Sequence, residues 1–120
     1  MTPESELLQR LGSAEAMLVT VHSHRGSVPR EAGAWMAVFA DSTLGSIGGG
    51  HLEWQAIGLA RSQLAGQSGA MVRRYALGPS LGQCCGGEVS LQFEAVRAQD
   101  LPRLRQYFFL QRALHCPVAL

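Results

Sequence analysis

The sequence predicts an α+β fold: a mixed β-sheet of five or six strands with about three helices, and ligand loops at the strand ends. Three observations carry this expectation. The chain has 120 residues, the size of one domain with its own core. Short apolar, β-branched runs alternate in mixed order with segments of helical period. Its fourteen glycines are unevenly spread, standing together at 48–50 and crowding a cysteine pair at 84 and 85.

Taken in order, Thr2-Pro3-Glu4 reads as a helix start, with a hydroxyl cap, proline at the first helical position and an acid in the first turn. Leu7, Leu8 and Leu11 give that helix an apolar face, and Gly12 is its stop. Residues 16–22 read as a buried strand and 25–33 as a polar loop holding two glycines, a proline and two arginines. Residues 34–40 and 43–47 suit two strands joined at Asp41-Ser42 as a hairpin. After the glycine triplet, 51–65 reads as a helix with Leu52, Ala56, Leu59 and Ala60 on one side. A turn at 66–69, a strand at 70–77, a glycine-rich loop at 78–87 and an alternating strand at 88–95 follow. A last helix spans 100–114, with Asp100 as its cap, and 116–120 resembles the first residues of a further strand.

Composition narrows the function classes. With 47% hydrophobic and 16% charged residues, disorder is excluded. Ten arginines, no lysine and nine acids give a net charge of +1, which lacks the clustered basic excess of a nucleic-acid binder. Every cation is therefore a planar fork suited to phosphate or carboxylate. No apolar run approaches the roughly 20 residues of a membrane-spanning helix, and the N-terminus lacks the pattern of a signal peptide, so no membrane and a cytoplasmic location are expected. Adjacent Cys84 and Cys85 plus one odd cysteine do not make a disulfide framework, and reduced thiols are expected.

Three loops could carry chemistry, each beginning at a strand end, and loops of one sheet edge can converge on a pocket. Gly48, Gly49 and Gly50 allow close approach to backbone and leave amides at a helix N-terminus, where an anion is favoured. A bare strand-to-helix turn accounts for the triplet equally well. Cys84 and Cys85, flanked by Gln83, Gly86 and Gly87, lie among unobstructed amides that would stabilise a thiolate, and thiolates suit a thiophilic metal. Arg25 and Arg30 with Ser27 form a candidate anion clamp, against the plainer reading of exposed loop arginines. Glu53 could hydrogen-bond a base or pterin edge, or simply favour the helix start. His22 and His24, two apart, would share a face of a strand, and His51 could touch a ligand. Trp35 and Trp54 read as core or rim, and Arg73-Arg74 as a solvated strand edge.

Together, Gly26-Ser27-x-Pro29-Arg30-x-x-Gly33-Ala34, Gly45-x-Ile47-Gly48-Gly49-Gly50-x-Leu52-Glu53 and Gly78-Pro79-x-Leu81-Gly82-Gln83-Cys84-Cys85-Gly86-Gly87-x-Val89-x-Leu91 resemble the N-terminal domain of the XdhC/CoxI family. These are accessory proteins of xanthine dehydrogenase and related molybdenum hydroxylases. The resemblance implies a non-catalytic chaperone that binds the molybdenum cofactor, holds it while a cysteine desulfurase-type sulfur donor acts, and delivers it to an apo molybdenum hydroxylase such as xanthine dehydrogenase. It implies further that Cys84 or Cys85 contacts the molybdenum, and that the glycine triplet with Arg30 serves the pterin and its phosphate. Gln83, Gly86, Gly87, Ser27 and Glu53 complete the expected cofactor set. Family members typically continue into a C-terminal domain resembling a nucleotide-binding fold, which residues 1–120 lack, so the chain corresponds to the N-terminal domain, as a fragment or as a short member. A cysteine-dependent redox or transfer enzyme is the alternative reading, opposed by the lack of a base beside the thiols. The oligomeric state stays open, a homo-oligomer included.

Overall fold

Residues 16–21 are apolar on both sides of the chain save for one threonine, and the fold buries both sides. The computed structural model describes residues 2–26, 33–66, 70–77 and 87–114. Its strands are β1 (Ala16–Gly26), β2 (Trp35–Val38), β3 (Thr43–Gly45), β4 (Met71–Leu77) and β5 (Gly87–Val96), in the sheet order β3-β2-β1-β5-β4. The helices are α1 (Pro3–Arg10), α2 (Gly50–Gly66) and α3 (Leu101–Leu114). β1, the apolar run, is thus the centre of the sheet.

The α+β class, the five strands and the three helices agree with the sequence expectation. Within that class every strand pairing is antiparallel rather than mixed. The reason is topological. β3 and β4 run the same way, but α2 carries the chain from one edge of the sheet to the other, so these two strands never become neighbours.

Alternation along the strands sorts the core into two layers. Met17, Val19, Val21, Met36, Val38, Leu91 and Phe93 meet Leu52, Ala56 and Ala60 of α2 on one face. On the other face Ala16, Leu18 and Ala37 meet Leu7 and Leu11 of the α1 segment and Leu104, Tyr107 and Phe108 of α3. Each fully buried large side chain stabilises by about 1.5–3 kcal/mol. Thr2 caps α1 by accepting from the Ser5 amide at 3.1 Å. Arg10 at the end of α1 lies over the Phe39 ring, 3.8 Å from its centroid, and donates to Ser42 Oγ at 2.8 Å, which pins the turn between β2 and β3.

One boundary differs from expectation. Residues 25 and 26 were expected in a loop, yet β1 continues through them because β5 pairs with it as far as Gly26 opposite Gly87. A β-bulge between Val21 and Ser23 interrupts that long ladder.

Candidate functional site

Three connections leave the sheet at the same end. β1 ends at Gly26, which pairs with Gly87 at the start of β5, and Gly87 pairs in turn with Leu77 at the end of β4. The chain returns at Gly33, whose amide donates to the Val21 carbonyl at 2.9 Å, while the Val21 amide donates to Ala34 at 2.8 Å. Gly26, Gly87 and Leu77, the described residues that flank segments 27–32 and 78–86, therefore lie side by side on neighbouring strands. β3 runs in the direction of β1, so the bend at 46–50 that starts α2 opens toward the same end. Ser27, Arg30, Gln83, Cys84, Cys85 and Gly86 lie outside the described residues; Gly87 is the anchor just noted.

The glycine triplet has a conformational cause. Gly48, Gly49 and Gly50 have φ of 123°, 76° and 73°, three successive values that L side chains resist, and together they swing the chain from β3 into α2. Glu53 braces this bend. Its Oε1 accepts from Ser46 Oγ at 2.6 Å and from the Ile47 and Gly49 amides, both at 3.0 Å. The Gly48 amide donates to Ser46 Oγ at 3.0 Å. The Gly48 and Gly49 amides thus bond the chain's own hydroxyl and carboxylate, and Glu53, expected at a pterin edge or as a helix-start acid, braces the loop.

One turn along, His51 and Trp54 stack, their ring centroids 5.5 Å apart and tilted by 30°. Trp54 is 70% exposed, which sets it apart from Trp35, half-buried against Phe108 on the opposite face of the sheet at 5.2 Å. An open groove of about 700 Å³ passes over α2 here, lined by Trp54, Gln55, Gly58, Arg61, Arg73 and Tyr75 among others. Arg73 lies over the Tyr75 ring, 5.8 Å from its centroid. Burial pushes the Tyr75 phenol above its ordinary value of 10, and the Arg73 cation pulls against that shift. Arg61 Nε donates to the Phe39 carbonyl at 3.3 Å. Trp54 was read in the sequence as core or rim and Arg73 as a solvated strand edge; the signal that could have singled out Trp54 is the histidine three positions earlier on the same helix face.

The bulge at His22 breaks the two-residue period, so the spacing of His22 and His24 no longer implies a common face. Among the described residues no three His, Cys, Asp or Glu side chains come together as a metal site, and no helix is long and apolar enough to cross a membrane.

Comparison with known proteins agrees with this architecture. The model of the XdhC and CoxI family matches residues 11–76. The chain is also similar to a crystal structure described as a xanthine dehydrogenase from Bacillus halodurans, with a TM-score of 0.73 and 25% identity. That likeness covers 94% of this chain and 36% of the other, so the chain spans little more than a third of that protein's length. None of the curated proteins matches it.

Proposed function

This chain belongs to the XdhC and CoxI family, and from that premise we propose that it serves the maturation of molybdenum hydroxylases as a carrier of their cofactor. In this reading it acts as the family's N-terminal cofactor-binding domain. It holds the molybdenum cofactor, presents it to a cysteine desulfurase-type sulfur donor, and releases it to an apo enzyme of the xanthine dehydrogenase kind. Catalysis stays with the hydroxylase; what the bound cofactor supplies is the metal centre on which that enzyme depends.

The observation that supports this reading is the common anchoring of the connections at one end of the sheet, through the Gly26–Gly87–Leu77 pairings. The residues proposed to hold the cofactor are Gln83, Cys84, Cys85, Gly86 and Gly87 of one connection with Ser27 and Arg30 of its neighbour. Thiolates suit molybdenum and an arginine fork suits the phosphate. Gly48, Gly49 and Gly50 are proposed to contribute from the bend that Glu53 braces, which opens toward the same end of the sheet. The groove over α2 suits a flat anionic molecule as well, since its described lining carries arginines and aromatic rings and no carboxylate.

The test is retention. Protein produced in a host that makes the cofactor is purified and oxidised, and the released pterin is measured by fluorescence. Near-stoichiometric pterin is expected, with occupancy lowered at least severalfold by Cys84→Ala, by Cys85→Ala or by the two together. Wild-type protein that retains no pterin refutes the carrier role, and full retention by the double variant removes the thiols from it.

A further inference from the structure

We propose that the outer face of α2 is a stacking site for a flat heteroaromatic ring bearing an anionic group, with the Trp54–His51 pair as its platform and Arg73 facing the charge. The proposal deepens the cofactor reading, because a phosphorylated pterin has this chemistry; a purine nucleotide has it as well.

Three independent features converge on this face. The first is the platform, an indole 70% exposed and stacked on an imidazole at 5.5 Å, presenting a π-surface with the polarity that heteroaromatic rings favour.

The second is Gly58, one turn after Trp54. Glycine is the costliest residue apart from proline in a helix interior. Yet nothing lies within 4 Å of where a Cβ would stand at Gly58, and its φ lies outside the left-handed region. Neither packing nor backbone conformation requires glycine there. What it provides is clear surface beside the indole, inside the groove of about 700 Å³.

The third is charge. Arg61 and Arg73 line the groove, and among its described lining residues there is no carboxylate to neutralise them. Arg61 is engaged by the Phe39 carbonyl. Arg73 is exposed, tethered over the Tyr75 ring by a contact that leaves its N–H fork able to take a phosphate or carboxylate edge-on.

The experiment uses the full chain carrying Trp35→Phe, which leaves Trp54 as the single tryptophan reporter. It is titrated with 6-hydroxymethylpterin phosphate, guanosine monophosphate, the unphosphorylated pterin and inorganic phosphate, and affinities are repeated by calorimetry with Trp54→Ala and Gly58→Leu. Saturable quenching by a phosphorylated ring is expected, and whether pterin or purine binds more tightly identifies the source. Both variants should weaken binding roughly tenfold or more, in line with the loss of one ring stack. Arg73→Ala should weaken the phosphorylated ring and leave the bare pterin unchanged. Both altered side chains point to solvent, so the variants should unfold at or above the parent temperature. Equal affinity in Trp54→Ala, or a response to inorganic phosphate alone, overturns the platform. A Trp54→Ala protein that retains cofactor at parental occupancy and binds both phosphorylated rings as the parent does also overturns it and leaves the carrier role intact. A chain that retains no cofactor but binds a phosphorylated ring through Trp54 supports the platform and refutes the carrier role.

Discussion

One oxygen of Glu53 gathers a hydroxyl and two amides from the bend that precedes its own helix. A carboxylate at a helix start is favoured by the dipole, but here it also satisfies donors that would otherwise compete for an outside anion. Glu53→Ala should cost about 2–3 kcal/mol, since the Ile47 and Gly49 amides lose their acceptor, whereas Glu53→Gln retains an oxygen and should cost about 1 kcal/mol. Urea unfolding of the two variants checks this, and equal losses would contradict the bracing role. On the opposite face, burial raises the Tyr107 phenol above its ordinary value of 10. A raised folded value means the unfolded chain ionises first, so the contribution is whole below pH 10 and is lost as pH rises beyond it. Tyr107→Phe should therefore flatten the alkaline decline in unfolding temperature above about pH 10 while leaving its slope near pH 7 unchanged.

Among the elements, the bend from β3 to α2 distinguishes glycines that look alike in the sequence. A Cβ on Gly45 would stand 2.7 Å from the Trp35 carbonyl oxygen, at a φ of +74°, whereas one on Gly49, at +76°, meets nothing within 4 Å. Gly49→Ala should cost about 1–2 kcal/mol from its left-handed backbone alone, and Gly45→Ala clearly more than that, since β2 and β3 must also separate. Thermal unfolding of the two single variants gives the comparison. The elements themselves were largely legible, because apolar period and turn residues are local signals: the Thr2-Pro3 helix start and the 51–65 helix stand where the pattern put them, within a few residues. The end of β1 was not legible, since residues 25 and 26 are held by pairing with a distant strand and not by their own propensity. Nor was the bracing of the triplet legible, since its glycines announce open amides and only the folded chain shows those of Gly48 and Gly49 bonded to Ser46 and Glu53.

At the scale of the whole molecule, the sheet separates two cores that share no buried residue among those described. Ile47→Val on the α2 side should cost about 0.5–1.5 kcal/mol and Leu104→Ala on the α3 side about 2–5 kcal/mol. The double variant should equal the sum of the two within about 0.5 kcal/mol, as measured by urea unfolding, because the substitutions sit in separate layers without common partners. A larger coupling would mean that the sheet transmits strain between its faces.

The pairing of β1 with β5 also bears on how the chain comes to be folded. β1 leaves the ribosome well before β5, its partner along nearly its whole length. Until residues 87–96 emerge, the central strand is left with one bare edge and apolar side chains on both sides, a template for pairing with other nascent chains. The same long loop closure predicts slow, single-step folding for so small a domain. The pairing of Gly26 with Gly87 belongs to that same step, so the proposed binding end of the molecule forms only in a chain that has been made into β5.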